Sequence, residues 1–174
     1  LTANGGGGTS RFSGVTLSGN MVHISDYTLE LGSSATLSFD AGLVSDKGTL
    51  KLSGGQAYFN ALTLGSLGMV EGSGNSTMSA TSLVTDAGGT LFFSGVGATL
   101  SFLGNISDGQ SINIIYTDSA VSGETYSLIA FNSELATWDE LFETNCGSLS
   151  YSNNTLYLTY DPIPWLRWEN ADAV

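Results

Sequence analysis

Polar and apolar residues alternate in short bursts along most of this chain. A turn residue is followed by Thr-Leu or a close variant, then by a polar and an apolar residue. The unit appears as Thr16-Leu17, Thr28-Leu29-Glu30-Leu31, Thr36-Leu37-Ser38-Phe39, Thr49-Leu50-Lys51-Leu52 and Thr63-Leu64, and continues as Thr77-Met78, Thr90-Leu91-Phe92-Phe93 and Thr99-Leu100-Ser101-Phe102. Period-two alternation is the signature of a strand with one buried face. Between the units lie Gly-Ser-Ser, Ser-Asp-Lys-Gly, Ser-Gly-Gly, Gly-Ser-Gly-Asn and Asp-Ala-Gly-Gly. Such segments turn the chain through left-handed backbone and side-chain-to-backbone bonds. No helical period runs through the first 110 residues, and they contain no Pro.

Spacing selects between two all-β architectures, a hairpin-built β-sandwich and a parallel β-solenoid. From Thr28 to Thr99 the steps are 8, 13, 14, 14, 13 and 9 residues. One short and one long step together make about 22 residues, the length of one coil of a three-sided solenoid. Tight hairpins favour Asn-Gly or Asp-Gly turns, and outside the glycine run that follows Asn4, Asp108-Gly109 is the sole example. The sequence therefore predicts a parallel β-solenoid over residues 1–110, with the sandwich as its alternative.

Beyond residue 110 the texture changes. Ser111-Ile112-Asn113-Ile114-Ile115-Tyr116 and Tyr126-Ser127-Leu128-Ile129-Ala130-Phe131 read as more aromatic strands. Apolar residues at 135, 138, 141 and 142 predict a short helix, and 148–151, 152–154 and 155–160 a closing hairpin with an Asn-rich turn. Segment 111–161 is thus expected to form an aromatic β cap over the open end of the solenoid. Residues 162–174 form a separate Pro/Trp tail. Trp165 and Trp168 are costly to leave in water, so Trp165, Leu166, Trp168 and Val174 are the expected assembly contacts, docked on a neighbouring copy or folded back on the cap.

Composition narrows the class. Hydrophobic residues make up 41% of the chain, while charged residues are only 11%, against roughly 25% in an ordinary soluble domain. The surface is wetted by hydroxyls and amides, as in extracellular β proteins. Sixteen acidic residues face four basic ones, for a net charge of −12. Arg11, Lys47, Lys51 and Arg167 cannot neutralise a phosphate backbone, so nucleic acid is excluded as a partner. Anionic membrane surfaces are disfavoured too, and no run approaches the ~18 apolar residues of a membrane span. The chain opens on Leu1 rather than Met, which predicts a processed N-terminus from which any signal peptide has gone. Cys146 is the one cysteine; a disulfide framework and a Cys-based metal site are excluded, and a buried, inert thiol is expected.

Catalytic arrangements are sparse. A His-based triad would need His23, the one histidine, with Asp26 or Asp40 to orient it. No Gly-x-Ser-x-Gly elbow is present, and Val22 and Ile24 beside His23 suit a strand face. Asp139, Glu140 and Glu143 cluster near Trp138, but their spacing splays the carboxyls and suits a solvated helix flank better than a glycosidase pair. Asp26, Asp40, Asp46, Asp86, Asp108 and Asp118 stand in or beside turns. Ca2+ is the one ion they leave open, although no Asp-x-Asp-x-Asp-Gly loop is present and turn capping explains them. Gly5-Gly6-Gly7-Gly8 lacks the Lys-Ser/Thr of a phosphate loop and reads as a flexible lead-in. The sequence predicts no enzyme and no cofactor.

Gly123-Glu124-Thr125-Tyr126-Ser127-Leu128-Ile129-Ala130-Phe131, then Gly147-Ser148-Leu149-Ser150-Tyr151, Asn154-Thr155-Leu156-Tyr157-Leu158-Thr159-Tyr160 and Asp161-Pro162-Ile163-Pro164 resemble the C-terminal end of autotransporter-associated β-strand repeat proteins. These are large secreted bacterial proteins, many ending in a PEP-CTERM-type sorting signal, and the Gly/Thr/Leu repeats resemble their passenger solenoids. Here Pro164 is followed by Trp165, without the Pro-Glu-Pro, apolar helix and basic cluster of that signal. The resemblance implies an exported, non-enzymatic scaffold, fibre, matrix or adhesive protein of the bacterial surface. Its partners would be further copies of itself or, through Tyr58, Phe59, Tyr116, Tyr151 and Tyr157, surface glycans.

Overall fold

A computed structural model of the chain describes residues 1–85, 89–94, 99–102, 112–117 and 120–161. Its strands in chain order are β1 (Thr2–Phe12), β2 (Thr16–Leu31), β3 (Thr36–Ser45), β4 (Thr49–Ser53), β5 (Gln56–Leu64), β6 (Met69–Ser73), β7 (Thr77–Thr85), β8 (Thr90–Ser94), β9 (Thr99–Phe102), β10 (Ile112–Thr117) and β11 (Thr125–Phe131). One helical turn, α1 (Trp138–Leu141), precedes β12 (Phe142–Thr144), β13 (Gly147–Ser152) and β14 (Thr155–Tyr160).

Pairing is parallel throughout the repeat region. β2, β3, β5, β7, β9 and β11 stack in one series, and β2, β4, β6, β8, β10 and β12 in another. Among the described residues, antiparallel pairs occur only where β14 meets β11 and β13. This is a β-solenoid, and the sandwich alternative falls with the parallel pairing. Successive coils start at Thr16, Thr36, Gln56, Thr77 and Thr99, so each coil takes 20 to 22 residues.

Each coil has three faces, and burial shows how. Along β3, Leu37 and Phe39 point inward, Asp40 and Ala41 both turn outward, and Gly42 and Val44 point inward again. Two consecutive outward residues reverse the alternation, which bends the strand rather than ending it. The same step recurs at Asn60-Ala61 in β5 and Thr81-Ser82 in β7. The pairing skips residues 40, 60 and 81 at this corner, where Asn60 Nδ2 donates to Asp40 Oδ1 at 3.0 Å. Face one is therefore 36–39, face two 41–45 and face three β4, with equivalents in each coil.

The core is a set of ladders running along the axis. Leu29, Leu50, Val70, Leu91 and Ile114 stack in register, as do Leu37, Ala57, Met78, Leu100 and Ile129, and all are buried. Large residues are matched by small ones in adjacent coils: the Phe39 ring lies over Gly19, and the Phe59 ring over Gly42. Without that alternation the rings would overfill a core packed to crystal-like density.

The second corner explains two glycines. Gly48 and Gly68 precede β4 and β6, donate to the Ser45 and Gly65 carbonyls, and lie against the Ile24 and Val44 carbonyls of the coil before. A Cβ at either position would collide with backbone, which cannot move aside. Side chains at φ > 0 complete the corners, among them Asp46, Lys47 and Leu67.

The C-terminal segment continues the stack before it closes. β10 and β12 extend face three, and β11 extends face one. The hairpin β13–β14 turns at Asn153 and Asn154, both at φ > 0 (49° and 56°), as the Asn-rich turn predicts. The expected helix is a single turn, because Phe142 is extended and begins β12.

Candidate functional site

Both ends of the stack carry unpaired strand edges among the described residues. At the N-terminal end β1 pairs with β2 alone, residues 2–4 against 23–25 and 8–12 against 27–31. β1 thus supplies faces two and three of a coil and leaves face one open. Residues 16–19, on face one, pair with β3 and have no strand on their other side. Val15, Met21 and Leu1 are exposed around this slot, and Leu17 is half-buried within it. Beside it lies a cavity of about 220 Å³ lined by Leu1, Ala3, Ser10, Phe12, Tyr27 and Leu29. The Ser10 and Tyr27 hydroxyls are 2.9 Å apart there.

The four glycines belong to this end and are not the lead-in their composition suggests. They lie inside β1, where Gly5, Gly6 and Gly7 carry the strand round the corner at φ of 96°, 74° and 66°. Gly6 N–H donates to Asp26 Oδ2 at 3.1 Å.

At the C-terminal end the free edges belong to β12 and β13. β13 is antiparallel to β14, which is antiparallel to β11, so β13 runs in the direction of the coils. An aromatic group packs behind it. Trp138 stacks on Tyr151 with centroids 6.2 Å apart and planes 15° from parallel, and Phe131 lies 5.9 Å from Tyr151 and 6.0 Å from Phe142. The Tyr151 hydroxyl accepts from Leu135 N–H at 3.0 Å, which fixes the chain entering α1. Half-buried Cys146 sits in the same region, its N–H donating to Thr144 Oγ1.

Between the ends runs a row of charges that sequence reading missed. Arg11, Glu30, Lys51 and Glu71 face outward in register on four successive face-three strands. Arg11 approaches Glu30 at 3.5 Å, and Lys51 approaches Glu71 at 2.6 Å. Ser53 and Ser94 donate to Glu30 and Glu71. The signal was present, since each residue holds the third position of its strand unit, but only the coil register shows that the signs alternate.

The residues named from the sequence are dispersed. Trp165, Leu166, Trp168 and Val174 lie outside the described residues. His23 Nε2 is 3.3 Å from Ser45 Oγ, which donates to Asp46 Oδ2 at 3.1 Å. The serine lies between acid and imidazole, whereas a triad needs the imidazole in the middle. Asp26 and Asp40 are engaged by Gly6 and Asn60 instead. Asp139 and Glu140 are exposed in α1, and Glu143 is exposed on β12. Among the described residues, no three His, Cys, Asp or Glu side chains converge as metal ligands would; Asp86, Asp108 and Asp118 lie outside them. Of the aromatics suited to glycan stacking, Tyr58 is 39% exposed, but Phe59 points inward and is buried, because the two are adjacent on a strand. Tyr151 and Tyr157 sit in the cap on opposite faces of the hairpin, since Tyr151 pairs with Leu156 and Tyr157 with Ser150, and the Tyr116 side chain lies outside the described residues. No helix among the described residues is long and apolar enough to cross a membrane.

No family model matches this chain, and neither the curated proteins nor the solved structures give a match.

Proposed function

We propose that this chain is a non-catalytic structural protein of the bacterial exterior, a subunit of a surface layer, fibre or matrix that joins copies of itself head to tail. One observation carries this reading. Among the described residues, the outer edges of β1, β12 and β13 carry no partner strand, and all three run in the direction of the coils. An open edge is a template for further pairing. A head-to-tail contact repeated without closure makes a filament. The hydroxyl-rich, weakly charged surface and the resemblance to secreted repeat proteins support an extracellular setting. Among the described side chains a glycan-binding reading draws chiefly on Tyr58, whose in-register neighbours are Ser38 and Ser79, and is the weaker of the two.

Electron microscopy and sedimentation of the purified chain test the reading. Filaments, or a series of oligomers growing with concentration, are expected. A monomer at every concentration overturns it.

A further inference from the structure

The core at the C-terminal pole ends on a half-covered rung. Leu149 pairs with Leu158 and Tyr151 with Leu156, so both continue the inward ladders of the coils. One strand back, Leu156 and Leu158 are fully buried, whereas Leu149 and Tyr151 are half-buried. So are Leu135, whose N–H donates to the Tyr151 hydroxyl, and Trp138, which stacks on the Tyr151 ring. A stack of coils needs its open hydrophobic end covered. Among the described residues no strand lies beyond β13.

The chain carries a cover of matching character. β14 returns the backbone to this end, where Asp161 N–H donates to the Cys146 carbonyl at 2.9 Å. Residues 162–174 follow, outside the described residues, and bring Ile163, Trp165, Leu166 and Trp168 close together in sequence. Reach agrees with composition. Tyr151 lies four residues along β13 from Gly147, and Trp165 lies four residues along the chain from Asp161; each span is about 13 Å of extended backbone. Pro162 and Pro164 favour an extended chain over that stretch. Charge agrees as well. Residues 120–161 contain Glu124, Glu134, Asp139, Glu140, Glu143 and Asp161 and no Lys, Arg or His, so Arg167 is the first cation to reach this end. Asp139 and Glu140 stand exposed beside Trp138 in α1.

We propose that residues 162–174 cover this pole of their own chain, laying Trp165, Leu166 and Trp168 over Leu149, Tyr151 and Trp138 and bringing Arg167 to the carboxylates of α1. The inference rests on the assembly reading above and adds its control, because the tail then competes with a second copy for the outer edge of β13. Tethering gives the tail the advantage. A segment joined a few residues away is present at an effective concentration in the millimolar range, which a free second copy does not reach in dilute solution. Assembly at this pole therefore requires the tail to leave it.

Limited digestion with trypsin tests the contact, comparing the full chain with its Trp165→Ser/Trp168→Ser variant at low and high protein concentration. Lys47, exposed at a corner, is the internal reference. Relative to Lys47, cleavage after Arg167 is expected about tenfold slower in the wild type than in the variant, since a docked segment must open before it is cut. Sedimentation velocity of the same two proteins should show the variant associating at about tenfold lower concentration, once the tethered competitor is lost. Equal cleavage after Arg167 in the two proteins overturns the contact. Protection that appears only as the wild type is concentrated places the tail on a neighbouring copy and overturns it as well. Protection without any gain in association by an assembling variant overturns the competition. Protection with both proteins monomeric at every concentration upholds the contact and overturns the assembly reading.

Discussion

Lys51 Nζ lies 2.6 Å from Glu71 Oε1, one coil further along the rod, while Glu30 flanks the same lysine from the coil before. The pair is partly sheltered, with 33% and 14% of the two side chains exposed. A double-mutant cycle of Lys51→Ala and Glu71→Ala should give a coupling of about 1 kcal/mol, larger than an isolated surface pair but well short of a buried one. Lys51→Glu, which sets three carboxylates in a row, should cost more than Lys51→Ala in urea unfolding. Equal losses from the two would show that the lysine contributes packing alone.

Gly68 tests the corner geometry. Its missing side chain leaves room for the Val44 carbonyl of the preceding coil, so Gly68→Ala should destabilise by about 2 kcal/mol or more, the range of substitutions that force backbone apart. Gly48→Ala should behave alike. Substituting exposed Val84, which faces outward from β7, by Ala should change stability by less than about 0.5 kcal/mol. Thermal unfolding that ranks Val84→Ala above Gly68→Ala would contradict the register described here.

Packing across coils predicts a compensation. Gly42→Ala places a Cβ 2.7 Å from the Phe59 ring and should cost about 1–3 kcal/mol through overpacking. Adding Phe59→Leu removes the obstructing ring edge, so the double variant should recover part of the loss instead of summing the two penalties. By contrast, Leu50→Ala leaves a cavity among fully buried neighbours and should cost about 3 kcal/mol with no such partner.

Ser76 is buried, and its hydroxyl has no hydrogen-bond partner among the described residues. The corresponding corner positions in the preceding coils are Ala35 and Gly55. Burying a hydroxyl without a partner costs about 1–3 kcal/mol, so Ser76→Ala should raise the melting temperature. A lower melting temperature would mean that the hydroxyl bonds in solution.

Much of the fold was legible because strand starts repeat a Thr-Leu signal. Thr16, Thr36, Thr77 and Thr99 open face one, and Thr28, Thr49 and Thr90 belong to face three. The third coil breaks the code, with Gln56 opening face one and Met69 opening face three. Thr63-Leu64, which looks like another start, lies at the end of β5 on face two. That substitution is why the steps between Thr-Leu units look irregular while the coils themselves do not. The poles were not legible. Four glycines carry no pattern, so nothing local marks them as a strand; the pairing of residues 8–12 with 27–31 does. Likewise Arg11, Glu30, Lys51 and Glu71 are 19 to 21 residues apart in sequence, and only the coil period brings them into one row.

Parallel register also makes this molecule a ruler. Every coil of 20 to 22 residues advances the rod by one strand spacing, about 4.8 Å, and touches only its two neighbours. Length is then a copy-number trait: duplicating a coil whose corner glycines and Phe/Gly matches are kept lengthens the rod by one increment and leaves both poles as they were. Recombination between repeats can therefore tune reach in steps of about half a nanometre without redesigning either end.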